Sequence, residues 1–422
     1  MFELVDNAVA IQNNESLPEY QETTKIDRQR AIQLAGRYHS DSEKGSSITI
    51  DWIGDRVLLW QGTFQREIRS TTDRGQLVLD DVFGFGTPVT LAGDQLKIGG
   101  QTYQRMADQP PAAIPTSLAP FLGEYGWDHN TLYILERDGQ LWALIEWFYY
   151  YPLEQLGPTT FAFPDYGLYH GEQLHFQKDK EGQIDSVVAA EVKFQRREIG
   201  TKDGETFKIE RQLPLDQLRA QALAATPPVE VGTFRNSQLT ELVRLEPGII
   251  LDIRYATTNN FMDTVFYREP RAFAQLPAAE AAVEVHHKLA DRGLGLLIHD
   301  AYRPWQVTKM FWDATPDEMK DFVANPAKGS RHNRGCALDL TLYDLQSGDP
   351  IQMVSGYDEF SQRSYPLYPG GTHRQRWYRG LLRRTMENQG FSVYEFEWWH
   401  FDFGGWENYR IGNQTFDQIE VP

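Results

Sequence analysis

Along the first 200 residues, apolar and polar positions alternate in short runs. Examples are Thr131-Leu132-Tyr133-Ile134-Leu135, Leu141-Trp142-Ala143-Leu144-Ile145 and Leu174-His175-Phe176-Gln177, with turn signals at Asp138-Gly139 and Glu181-Gly182. Many short strands at regular spacing predict a barrel or sandwich. The pattern also repeats. Leu34-Ala35-Gly36-Arg37-Tyr38 matches Phe121-Leu122-Gly123-Glu124-Tyr125, and the two units close alike at Tyr103-Gln104-Arg105 and Phe194-Gln195-Arg196. The expected order is an N-terminal extension (1–25), a first β repeat (26–107), a Pro-rich linker (108–117) and a second β repeat (118–199).

Beyond residue 200 the pattern becomes mixed. Residues 215–225 read as a short helix stopped by Pro227-Pro228, within a linker over 200–235. In the remaining domain, 236–422, helices are predicted over 277–292 and 373–389, each ended by a glycine, Gly293 and Gly390. Thr315-Pro316-Asp317-Glu318 fits a capping box with proline at the first helical position. Strands are expected over 294–299, over 337–343 and in the aromatic stretch 394–403. The predicted fold class is therefore multidomain, an all-β half followed by an α+β domain.

The chemistry concentrates in that second half. Ser330-Arg331-His332-Asn333-Arg334-Gly335-Cys336-Ala337-Leu338-Asp339 and Glu397-Trp398-Trp399-His400 supply two imidazoles and carboxylates. Two histidines and one carboxylate are a common catalytic zinc set, which leaves a fourth position for water. Such water becomes a nucleophile near neutral pH. His332 and Asp339 are seven apart, which in one strand would put them on opposite faces. Gly335 permits a turn between them, so His332 belongs on a loop and Asp339 on the following strand. Glu397 and His400, three apart, likewise need a bulge or strand end between them. Glu397 is then placed to take a proton from water, with Glu395 as the rival carboxylate.

These motifs resemble the VanX-type D-alanyl-D-alanine dipeptidases, zinc peptidases related to the D-Ala-D-Ala carboxypeptidases. The resemblance covers about residues 240–410. It extends to Asp252-Ile253-Arg254-Tyr255-Ala256-Thr257, Asn260-Phe261, Asp300-Ala301-Tyr302-Arg303-Pro304 and Met386-Glu387-Asn388 before Gly390-Phe391. It implies an α+β zinc D,D-peptidase domain with one zinc per chain, held by His332, Asp339 and His400. Glu397 matches the general base and Arg303 the transition-state stabiliser. Tyr255, Ser330 and Asp358 match contacts to the ends of a dipeptide, and Phe311 a pocket wall. The segment from Arg303 to Ser330 is shorter than in the vancomycin-resistance enzymes, and the loop after Asp358 differs. Both are expected at the substrate entrance. The β half resembles, by pattern alone, the small lipocalin-like barrels fused to bacterial hydrolases.

Physical chemistry supports these roles. A guanidinium is a fixed cationic fork suited to a developing oxyanion. Asp358 pairing with a free ammonium would reject internal peptide bonds, and Ser330 donating to the far carboxylate would measure substrate length. The alternatives are ordinary. Arg303 could anchor a loop, Asp358 cap a turn, and Tyr255 and Phe311 fill a core. Cys336 reads as a small buried residue. His39, His129, His170, His175, His286, His287 and His373 read as surface or packing residues.

Composition narrows the partners. Net charge is −18, which disfavours nucleic acid and anionic membranes. A single cysteine excludes an intrachain disulfide, and no run of 18 apolar residues is present to span a membrane. Residues 1–25 show no signal-peptide pattern. The expectation is a soluble bacterial protein of the cytoplasm or periplasm. Its reading is a zinc dipeptidase for D-Ala-D-Ala or related D,D-dipeptides, with self-association or a ligand as roles for the β half. Two alternatives stand beside it: a D,D-carboxypeptidase or wall-peptide amidase, and a ligand-binding barrel protein with a vestigial peptidase.

Overall fold

The structure is a computed structural model describing residues 8–15, 21–40, 47–53, 55–61, 63–81, 84–145, 149–202 and 204–420. Residues 1–7 and 16–20 of the expected N-terminal extension lie outside this set. The chain divides into two compact units, Met1–Arg196 and Arg197–Pro422.

Every strand pairing in the first unit is antiparallel. Gly36–His39, Ser47–Ile53, Arg56–Gln61, Phe64–Thr71, Leu77–Asp81, Gly84–Ala92, Gln95–Ile98 and Gln101–Arg105 pair in sequence order. The last then pairs back to the first, Tyr38 opposite Arg105, so the meander closes on itself. The second repeat runs from Gly123–Trp127 to Val192–Gln195 in two strand groups, whose first and last strands meet through a bridge between Tyr125 and Arg196. Each repeat encloses its own core. One is built around Tyr38, Ile50, Leu59 and Tyr103, the other around Tyr125, Leu132, Ile134 and Leu174. The strand pairing Tyr149 with Phe64 joins the first four strands of the second repeat, within 123–152, to the sheet of the first, while the strands within 154–195 form a separate five-stranded sheet.

The residues that made the repeat visible form the same clasp twice. Arg105 donates to the carbonyls of Ala35 and Gln33 and lies 4.7 Å over the Tyr38 ring. Arg196 donates to Pro120 and Leu122 at 2.9 and 2.6 Å and lies over Tyr125. The tyrosine hydroxyls donate to Leu34 O and Phe121 O. Gly123 is required where it is, because a Cβ there would press on the Arg196 guanidinium at 3.3 Å.

In the second unit, residues 207–222 of the expected linker pack against the core rather than running as a tether, while Val229 and Val231 stand exposed. Helix α1 (Leu215–Ala224) buries Leu218 and Ala222 in the core, and Ile209 N and Gln212 N bond to Phe261 O and Ala314 O. A five-stranded mixed sheet runs in the order β1 (Ile250–Leu251), β2 (Leu294–Asp300), β3 (Ala337–Asp344), β5 (Glu397–Phe403), β4 (Phe391–Tyr394). Only β1 and β2 are parallel. Strand β2 is buried along its whole length, hence its continuous apolar run. Helix α2 (Leu276–Ala290) lays Ala278, Ala279, Ala282, Val285 and Leu289 inward against β2. Helix α3 (Trp305–Ala314) follows Pro304. Helix α4 (His373–Glu387) starts from a capping box of Thr372 and Gln375 and packs on β3, β4 and β5. The box expected at 315–318 does not form. Thr315 ends α3, its hydroxyl donates to Phe311 O at 2.7 Å, and a 3-10 turn Asp317–Phe322 follows with no side-chain cap.

Candidate functional site

Strand register builds the site. Asp300 on β2 faces Asp339 on β3, and Asp339 faces His400 on β5, so three ionisable residues form one row across the sheet. His332 joins them from a 3-10 turn, His332–Arg334, that ends at Gly335 with φ 69°. A Cβ on Gly335 would lie 2.5 Å from Leu239 Cδ2, so close packing as well as backbone conformation selects glycine there. Asn333 fixes the turn. Its side chain donates to Arg303 O and Thr308 Oγ1 at 2.8 Å and accepts from Ser330 N.

The irregularity expected between Glu397 and His400 is present. Opposite β4 the register jumps, with Tyr394 paired to Glu397 but Val393 to Phe401. The shift lets Glu397 and His400 reach the same pocket although they are three apart. Glu395 is exposed and outside that pocket.

His332 Nε2, His400 Nδ1 and Asp339 Oδ1 form a triangle with sides of 3.1, 3.0 and 3.2 Å. All three residues are buried, and the donor set could hold a metal ion. Zinc with ligand bonds of about 2.0–2.1 Å in tetrahedral geometry needs donors about 3.3 Å apart, so the residues present fit that ion. Each donor is braced from behind. His332 Nδ1 bonds to Ala301 O at 2.6 Å, His400 Nε2 meets Asp402 Oδ1 at 2.9 Å, and Asp339 Oδ2 accepts from the Tyr357 hydroxyl at 3.0 Å. Cys336 is buried beside the set but contributes no donor; burial pushes its thiol up to about 12.

The electrostatics follow from burial and neighbours. Burial acts to raise the Asp339 carboxyl, yet the imidazoles of His332 and His400 hold it well below its usual range. Burial acts to lower His400, yet Asp402 and Asp339 lift it well above an ordinary histidine. Glu397 Oε2 sits 3.6 Å from His400 Nδ1. Burial pushes Glu397 up to about 8 against the pull of His400. Asp358 is raised to about 8 by burial and then by the charge of Asp339. Its Oδ1 accepts from the Tyr255 hydroxyl at 3.0 Å, while its buried Oδ2 has no hydrogen-bond partner among the described residues.

Arg303 donates from Nε to Asp300 Oδ2 at 2.8 Å and from Nη2 to Asp339 Oδ2 at 3.4 Å. Its guanidinium lies over Tyr255 and Phe311 at 5.2 and 4.8 Å. The Tyr267 hydroxyl holds the other oxygen of Asp300 at 3.0 Å.

All nine residues singled out in the sequence, Tyr255, Arg303, Phe311, Ser330, His332, Asp339, Asp358, Glu397 and His400, line one cavity of about 90 Å³. Phe322, Phe360 and Tyr394 line it too. Phe322 and Phe360 stack at 5.0 Å, and the Tyr394 hydroxyl donates to Asp321 O at 3.0 Å, so the segment after α3 does border the pocket. The bracing residues Tyr267, Asp300, Tyr357 and Asp402 were not anticipated. Asp300 stands in the Asp-Ala-Tyr-Arg motif, and Asp402 lies two residues from His400 on a strand, where period two puts it on the same face. Those two signals were readable. The hydroxyls of Tyr267 and Tyr357 carried none.

Residues 235–421 match the family model described as D-ala-D-ala dipeptidase. The D-alanyl-D-alanine dipeptidase of Escherichia coli K12 is 34% identical over 166 residues, which is 39% of this chain and 84% of that protein. The enzyme of that name from Enterococcus faecium is 34% identical over 195 residues, covering 41% of this chain and 92% of that protein. The one from Enterococcus faecalis V583 is 33% identical over 175 residues, covering 36% and 85%.

Proposed function

Because this chain belongs to the D-alanyl-D-alanine dipeptidase family, we propose that its second unit is a zinc-dependent dipeptidase that cleaves D-alanyl-D-alanine or a related D,D-dipeptide. The observation that carries the proposal is the buried triangle of His332, Asp339 and His400 with Glu397 at its side. Zinc, when bound there, supplies a Lewis acid that acidifies water and polarises the scissile carbonyl.

The chain's own groups do the rest. Asp358 receives the substrate ammonium on its unpartnered Oδ2, while Tyr255 keeps Oδ1 in place. Ser330 Oγ already accepts from His332 N at 3.2 Å, so its proton is available to the substrate carboxylate. These two polar ends favour a dipeptide over a longer stem peptide. Positive charge in the donor set draws Glu397 back to its carboxylate form. Glu397 takes a proton from the attacking water and returns one to the leaving amine as the C–N bond breaks. Arg303, steadied by Asp300, offers its remaining N–H groups to the oxyanion.

The closed antiparallel meander of the first repeat supports reading the β half as a pair of lipocalin-like modules, and we assign it an accessory role in self-association or ligand binding. The test is a zinc assay with a panel of D,D-, L,D- and L,L-dipeptides and a stem peptide ending in D-Ala-D-Ala. Zinc-dependent cleavage of the free D,D-dipeptide alone is expected. Release of alanine from the stem peptide at a comparable rate would favour a carboxypeptidase instead.

A further inference from the structure

We infer that Tyr357 is a positioning residue that keeps Asp339 presenting a single oxygen to the metal set. The inference rests on the zinc reading above. A carboxylate has two equivalent oxygens, and an unrestrained one can turn either or both toward a cation. Here Oδ1 lies 3.0 and 3.2 Å from the two imidazole nitrogens, while Oδ2 points away and accepts from the Tyr357 hydroxyl at 3.0 Å. Arg303 reaches the same Oδ2, but at 3.4 Å, with its Nε already committed to Asp300. The tyrosine therefore makes the shorter bond and spares the guanidinium from closing on Asp339.

The hydroxyl is itself held. The Tyr357 ring is buried, stacks on His299 at 4.4 Å and 21°, and meets Trp399 edge-on at 5.5 Å. His299 Nδ1 is anchored 3.3 Å from Asp252 O. Asp358, the next residue, adopts φ 57°. That left-handed backbone lets two consecutive side chains both reach the site, one to brace Asp339 and the other to line the cavity.

Tyr357→Phe removes the hydroxyl and keeps the ring. Metal-free full-length wild type and variant are titrated with zinc against a chelating indicator, well below the melting temperature of either, and both are loaded with cobalt(II) for visible spectra. The variant should bind zinc roughly ten- to hundredfold more weakly. Its cobalt band should lose intensity as the second oxygen joins the coordination sphere, and kcat should fall more than KM rises. Zinc affinity and cobalt spectra equal to wild type would overturn the positioning role and leave the dipeptidase reading intact. Wild-type protein that takes up no zinc would overturn both.

Discussion

The two units use arginine in opposite ways. In the β unit, Arg105 and Arg196 spend their donors on backbone carbonyls, two chain segments are clasped, and the guanidinium offers little to a ligand. In the peptidase unit, Arg303 is gripped through Nε and Nη2 by carboxylates, with Nη1 making no hydrogen bond among the described residues, and its face is turned into a cavity. The same contrast holds for acids. Asp358 keeps one buried oxygen unpartnered although folding alone favours satisfying it. Groups whose bonding is complete within the chain maintain the fold, and groups left incomplete in a cavity are open to a ligand.

The sharpest way to break this contrast is to remove a metal donor. His400→Ala should abolish both zinc uptake and dipeptide hydrolysis, read by metal analysis and turnover; normal zinc content would dissolve the proposed set. Next, Glu397→Gln should keep zinc and fold while losing roughly 100- to 10,000-fold in kcat, whereas Glu395→Gln stays active. The reverse result would shift the base to the exposed neighbour.

Asp358→Ala tests the unpartnered oxygen. Losing a buried charge pair with the ammonium should cost about 2–5 kcal/mol in kcat/KM with zinc binding retained. N-acetyl-D-Ala-D-Ala should be a comparably poor substrate of wild type, and equal cleavage of both substrates would remove the ammonium contact. Arg196→Met addresses the other side of the contrast. It should destabilise the β unit by about 1–3 kcal/mol in denaturant while kcat/KM is unchanged. The smallest effect is expected from deleting residues 1–196, which should leave kcat/KM within about twofold if this unit carries its own core. Starting instead at residue 235 removes Leu218 and Ala222 from that core, and the product should aggregate.

What the sequence displayed depends on the type of constraint. His332, Gly335 and Asp339 were readable because a proposed ligand, a left-handed turn and a strand must follow one another at fixed spacing. The β repeat was readable because Gly123, Tyr125 and Arg196 form one clasp and Gly36, Tyr38 and Arg105 form the other. Tyr357 was not, since its bond to Asp339 depends on a tertiary approach that leaves no periodic trace. The packing of 207–222 was hidden for a related reason. Pro227, Pro228 and Gly232 mark a chain without regular structure, and they gave no sign that Phe207, Ile209, Leu213 and Leu218 just before them lie against a core. The capping motif at 315–318 failed because Thr315 bonds backward to the helix it ends.

The strap over 200–235 also bears on how this protein is made. Glu230 pairs with Arg334 at 2.7 Å and accepts from Ile411 N, a partner 181 positions later. The end of this strap thus waits for residues near the end of the chain before the Glu230 contact can be completed. The preceding β unit has all its strand partners by residue 196 and can mature meanwhile. High sequence separation makes closure of the peptidase slow, so the step that brings His400 to His332 and Asp339 should come late in its folding.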